Sequence, residues 1–201
     1  MDYWLAGIVA YLILAAVTSA PIWSAALRGV ALFPGGSSFE ESTLLSEQAR
    51  LRLTQHYSRI HGTLRFWKSQ AELYKRLHYY CLVWTIPSSV MVPFLAQAMT
   101  TDAASKWLVT VIAAYTAILL SIHRAFKVDA NYKAFRQGES EFYDLYRRLL
   151  DRPTSFGRNE EEELEGYFEA VDQLRKSVRN AETDNMPTID ELREIDHAKR
   201  P

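Results

Sequence analysis

Five histidines, one cysteine and a run of glutamates are the reactive side chains of this 201-residue sequence. His56 and His61 stand five residues apart, off the i, i+4 spacing that sets two imidazoles on one helix face for a metal. His78 and His123 each mark the edge of an apolar run. Brought together there, they would sense pH; kept apart, they anchor helices at a membrane interface. His197 stands alone. Cys81 has no second cysteine to pair with, which excludes an internal disulfide and a cysteine-rich zinc site. Inside an apolar run it reads as a small buried hydrophobe, with membrane-edge lipidation as the alternative. The sequence has no glycine-rich phosphate loop, HExxH, nucleophile elbow or Cys/His metal spacing. The expectation is a protein that is not an enzyme and uses no cofactor or metal. A net charge of −1 gives no whole-protein attraction to nucleic acid.

The other informative polar groups lie within apolar runs. Thr85, Ser89, Pro93 and Gln97 recur every four residues, along one helix face. An amide such as Gln97 in hydrocarbon needs a protein or water partner. Thr110, Ala114, Ala117 and Ser121 form a small-residue stripe, as do Ala16, Ala20 and Ser24. Two uses fit these stripes: close packing of helices, or the lining of a water-filled path. Neither contains a charge that would set ion selectivity.

Three uncharged runs must carry these groups. Tyr3–Leu27 exceeds the roughly 20 residues that cross a bilayer, with Trp4 and Trp23 near its ends and Pro21 placed to kink its last turn. Asp2 in place of a basic n-region argues against a signal peptide. Residues 79–101 contain Pro87 and Pro93, which imply kinks in a membrane helix. Residues 107–122 are shorter, extended by Lys106 and Arg124 reaching outward. The short link between the second and third runs makes them a hairpin.

The remaining helices are charged. Ser38 and Glu41 have capping-box spacing, and helix is expected from there into the membrane. Leu53, Tyr57, Ile60, Leu64, Trp67, Ala71 and Tyr74 follow a heptad seam. Val128, Asn131, Phe135, Gly138, Phe142, Leu145 and Leu149 form a second. The hairpin makes the two an antiparallel stalk, with Gly138 opposite Leu64 and Trp67. Asn131 either fixes register or is solvated. Arg152-Pro153 and Phe156-Gly157 break the chain before a helix capped by Asn159, with Tyr167, Val171, Leu174 and Val178 as its apolar stripe. Thr188 and Glu191 box a last short helix near residues 189–199.

Charge fixes an orientation. Seven Lys and Arg lie between Leu44 and His78 and four more between Arg124 and Arg136, against Lys106 alone in the hairpin turn. By the positive-inside rule the N-terminus is outside and the C-terminus cytoplasmic, in a multi-pass inner-membrane protein. From Gln137 onward, 17 acids face 10 bases, so the distal part is acidic where the membrane-proximal part is basic. The basic part suits anionic lipid headgroups, although positive-inside bias accounts for it equally well.

The order and texture of residues 44–157 resemble the SLATT family, two-transmembrane effector domains associated with bacterial SMODS and SLOG systems. A basic Arg- and Tyr-rich helix (RIHGTLRFWKSQAELYKRLHYY) runs into a hairpin, and an exit helix with ANYKAFRQGESEFYDLYRRLLDRP follows. The resemblance implies a pore-forming effector of an antiphage or conflict system, a homo-oligomer in membrane lipid triggered by a linked nucleotide or infection sensor. A non-conducting anchor or scaffold that recruits a partner through its cytosolic helices is the alternative. The expected architecture is an all-α membrane protein: transmembrane segment 1–28, linker 29–43, SLATT-like domain 44–157 and acidic helical tail 158–201. Within the domain, cytosolic helix 44–78, transmembrane helices 79–101 and 104–123, and cytosolic helix 124–152 follow in order. The first membrane segment lies outside the SLATT pattern.

Overall fold

The computed structural model describes residues 3–28, 30–32, 38–99 and 103–185, and among them the chain is helical with no strand. The helices are α1 (Tyr3–Thr18), α2 (Ala20–Leu27), α3 (Glu47–Gln97), α4 (Ala103–Ala125), α5 (Val128–Asp151) and α6 (Glu160–Asp184). Three stretches are long and apolar enough to cross a membrane: Tyr3–Leu27, α3 and α4. The hairpin turn at residues 100–102, the helix expected near 189–199, and His197 lie outside the described residues.

The chain divides into two compact units. The described residues of the first are 3–28, 72–99 and 103–130, which hold the apolar stretches. The expected first span, Tyr3–Leu27, is one apolar stretch whose backbone stays helical at Ser19 (φ −77°, ψ −15°), with its hydrogen bonding shifted just before Pro21. Pro21 has no N–H for the carbonyl of Val17, and its ring crowds that carbonyl. The Ser19 N–H is shared between the Ala15 and Ala16 carbonyls at 3.1 and 3.2 Å. Thr18 and Ser19 hydroxyls donate to the Leu14 and Ala16 carbonyls, each at 2.7 Å. Likewise α3 stays helical across Pro87 and Pro93. There too hydroxyls bond back along the helix, Thr85 to Cys81 O at 2.7 Å and Ser89 to Thr85 O at 2.6 Å. The exit helix expected from residue 124 starts only at Val128. Lys127 takes φ 41°, a left-handed conformation that stops α4 before α5 begins.

The second unit contains described residues 30–32, 38–71 and 131–185. Its core is built by three helices, where two were expected as a pair. Leu53, Ile60, Leu64, Trp67 and Ala71 of α3 are buried, with Phe135, Phe142, Tyr146 and Leu149 of α5. The entire stripe Tyr167, Val171, Leu174 and Val178 of α6 is buried as well. Asn159 accepts the Glu162 N–H at 2.9 Å and caps α6, whose first turn holds four glutamates at the favourable end of the helix dipole.

The capping box of Ser38 and Glu41 forms, but it closes a single 3-10 turn, Phe39–Glu41. The long helix begins at Glu47, whereas continuous helix was expected from the capping box and the cytosolic helix from residue 44. Phe39 is the reason. Its ring is 3% exposed, 4.3 Å from the Tyr146 ring and 6.2 Å from that of Tyr167. Burying a Phe contributes about 2–3 kcal/mol, enough to hold the turn inward instead of letting it join α3.

Candidate functional site

Within the unit that holds the apolar stretches, the polar groups form a cluster that the expected stripes only touch. Thr85 is buried, whereas Ser89, Pro93 and Gln97 are exposed on the outer surface of α3, as Thr110, Ala114, Ala117 and Ser121 are on α4. The buried groups fall on a different face of α3, at Tyr80, Trp84 and Ser88, again four residues apart. The Tyr80 hydroxyl donates to Ala15 O at 2.9 Å and is bonded to the Tyr115 hydroxyl of α4. The Trp84 indole N–H donates to Thr18 Oγ1 at 3.0 Å, and the Tyr11 hydroxyl meets Ser88 Oγ at 3.2 Å. Tyr11 also stands edge-on to Trp84 and Tyr115, with centroids 4.9 and 5.8 Å away.

The first apolar stretch therefore packs on α3 and α4 through α1. Sequence reasoning passed over Tyr11, Tyr80, Trp84, Ser88 and Tyr115 because an aromatic in an apolar run looks apolar. The available signal was the hydroxyl and indole positions at 80, 84 and 88, and at 11 and 18.

At one end of this unit His78 Nδ1 and His123 Nε2 are 2.9 Å apart, a hydrogen bond between α3 and α4 in which one ring must donate and the other accept. Arg76 donates to Pro21 O at 2.9 Å and Ser24 Oγ at 2.8 Å, tying α2 to α3. It also pairs with Glu72. Cys81 is buried beside Trp84 and Leu119. No group of three or more metal-ligating side chains occurs among the described residues.

In the second unit the seam residues Leu53, Ile60, Leu64, Trp67, Phe135, Phe142 and Leu149 are buried, while Tyr57 and Leu145 are half-buried. Ala71 is buried in this unit; Tyr74 is half-buried in the other. A Cβ at Gly138 would lie 3.4 Å from Trp67 and only 2.5 Å from Val178 Cγ2. Asn131 is buried, as is Glu139, a carboxylate the heptad reading left out. Its oxygens lie 2.6 Å from Arg136 and 3.8 Å from Lys68. The Tyr143 and Tyr167 hydroxyls are buried without a hydrogen-bond partner. Burial pushes Tyr143 up to about 12 and raises Tyr167 as well.

Between α3 and α6 runs a charged groove of about 820 Å³ lined by Arg52, Arg59, Glu165, Glu169, Arg175 and His56, among others. The His56 ring lies 4.5 Å from that of Phe168. Its pKa is lowered chiefly by burial and secondarily by Arg175 and Arg59, with Asp172 opposing.

No protein-family model, curated protein or solved structure matches this chain.

Proposed function

We propose that the chain is a SLATT-like pore-forming or membrane-disrupting effector of a bacterial antiphage or conflict system. In this reading it sits in the inner membrane with its C-terminus in the cytoplasm. It oligomerises through its helical stalk and hairpin, and a linked nucleotide or infection sensor triggers it. The observation that carries the reading is the hydrogen-bonded cluster of Tyr11, Tyr80, Trp84, Ser88 and Tyr115 among helices apolar enough to cross a bilayer. Groups of this kind either pack helices or line a water-filled path, and the pore reading takes the second use.

Expression without a regulator should depolarise cells, and bulky substitution at Ser89 or Gln97, on the outward face of α3, should relieve the damage by obstructing assembly. Depolarisation that persists after residues 79–123 are exchanged for an unrelated hairpin would rule the pore out.

The α3–α6 groove favours a second reading, a non-conducting scaffold that binds a partner on its charged surface. That reading expects no ion flux from purified protein at any concentration. It also expects partner capture to depend on Arg52 and Arg59.

A further inference from the structure

The face of the hairpin that could meet water is the one α1 covers. Tyr80, Trp84 and Ser88 lie along one side of α3, and every polar group they carry is bonded to α1 or, for Tyr80, to Tyr115 as well. The matching side of α1 is a single stripe, Gly7, Tyr11, Ala15 and Thr18. Gly7 rests against Leu108 of α4, and Ala15 is the one buried residue of the helix. The remainder of α1 presents apolar side chains outward, among them Leu12, Ile13 and Val17. A helix whose contacts centre on this stripe is open to displacement, because hydrogen bonds within membranes are individually weak. Pro21 weakens the hydrogen-bond ladder where α1 meets α2, while Arg76 holds α2 through Pro21 and Ser24. Ser19 is therefore the point at which α1 would bend away with α2 still docked.

We propose that α1 is a displaceable plug: at rest it satisfies the Tyr80–Trp84–Ser88 face, and its departure turns that face to water. Once uncovered, the indole and hydroxyls must be hydrated or bonded to a second copy, because hydrocarbon offers them nothing. This rests on the pore reading for its consequence but not for its test. Of the polar positions on α3, the Ser88 side lines the path, and the Ser89–Gln97 side faces outward.

The full chain carrying Cys81→Ala and Ser88→Cys is reconstituted in vesicles of phosphatidylethanolamine and phosphatidylglycerol. Labelling of residue 88 by a membrane-impermeant thiol reagent is then followed beside potassium flux. Tyr11→Phe with Thr18→Val should raise labelling by roughly threefold, chiefly through loss of the Thr18 bond to Trp84, since Ser88→Cys has already replaced the hydroxyl that Tyr11 meets. Gly7→Ala should lower it, because the added methyl meets Leu108 at an ordinary contact distance of 3.6 Å. Unchanged labelling in an Ala103→Cys control, at an exposed position, separates such a decrease from aggregation. Labelling unmoved by both changes overturns the plug. Labelling that moves as expected while no variant, nor the parent, carries flux upholds the plug and sinks the pore.

Discussion

His56 shows how one residue's surroundings become a pH dependence. Burial against Phe168 and Tyr167 disfavours the imidazolium, so its pKa in the folded chain lies below the unfolded value of about 6.5. The unfolded state then takes up more protons as pH falls. The stability this histidine contributes is complete above about 6.5 and is lost as pH drops toward the folded pKa. Melting of the detergent-solubilised chain from pH 7.5 to 5 should fall less steeply in His56→Gln than in the parent; equal slopes would exclude His56 as a source. Gly138 gives a packing counterpart. A methyl there would lie 2.5 Å from Val178 Cγ2, and valine is stiff at χ1, so overpacking should outweigh the ~1 kcal/mol gain in helix propensity. Gly138→Ala should destabilise by about 1–2 kcal/mol in denaturant melts, with Val178→Ala restoring most of the loss. Additive effects of the two changes would mean that they do not meet. The opposition of Gly138 and Trp67 was legible from the heptad count. The third participant, Val178, was not, because no heptad relation joins α6 to the other two seams.

At the scale of the helices, composition announced the elements better than their ends. The three apolar runs and the Asn159 cap were plain in the sequence because length without charge, and a capping residue before glutamates, have few other physical outcomes. The ends at Glu47 and Val128 were not. Each depends on something distant or on backbone geometry: the burial of Phe39 against Tyr146, and the left-handed turn at Lys127. A lysine at φ 41° carries a cost that glycine avoids. Lys127→Gly should therefore keep α4 and α5 separate and leave the chain as stable or up to about 1 kcal/mol more stable, the gain being offset by glycine's greater unfolded freedom. Lys127→Val, β-branched and poorly suited to positive φ, should lose stability by a similar or larger amount. Equal melting of all three proteins would show that the turn imposes no strain.

For the molecule as a whole, charge asymmetry is the feature that makes orientation testable. Eleven Lys and Arg fall in the two stretches 44–78 and 124–136, and Lys106 stands alone near the other end of the hairpin. Since Lys and Arg hold their loops on the cytoplasmic side, Ser58 of α3 and Ser177 of α6 should share that side while Ala103 faces the opposite one. All three are exposed, so each can carry a reporter thiol in a Cys81→Ala background without disturbing packing. In intact cells an impermeant reagent should reach residue 103 and leave 58 and 177 unlabelled until the membrane is opened. Labelling of 103 and 58 from one side would mean that α3 and α4 do not cross as a hairpin, and the plug would lose the bilayer that makes its hydrogen bonds matter. If the orientation reverses as a whole, with 58 and 177 outside, the hairpin and plug survive. The cytoplasmic trigger would then have no access to the stalk, and the effector reading would fail on that ground alone.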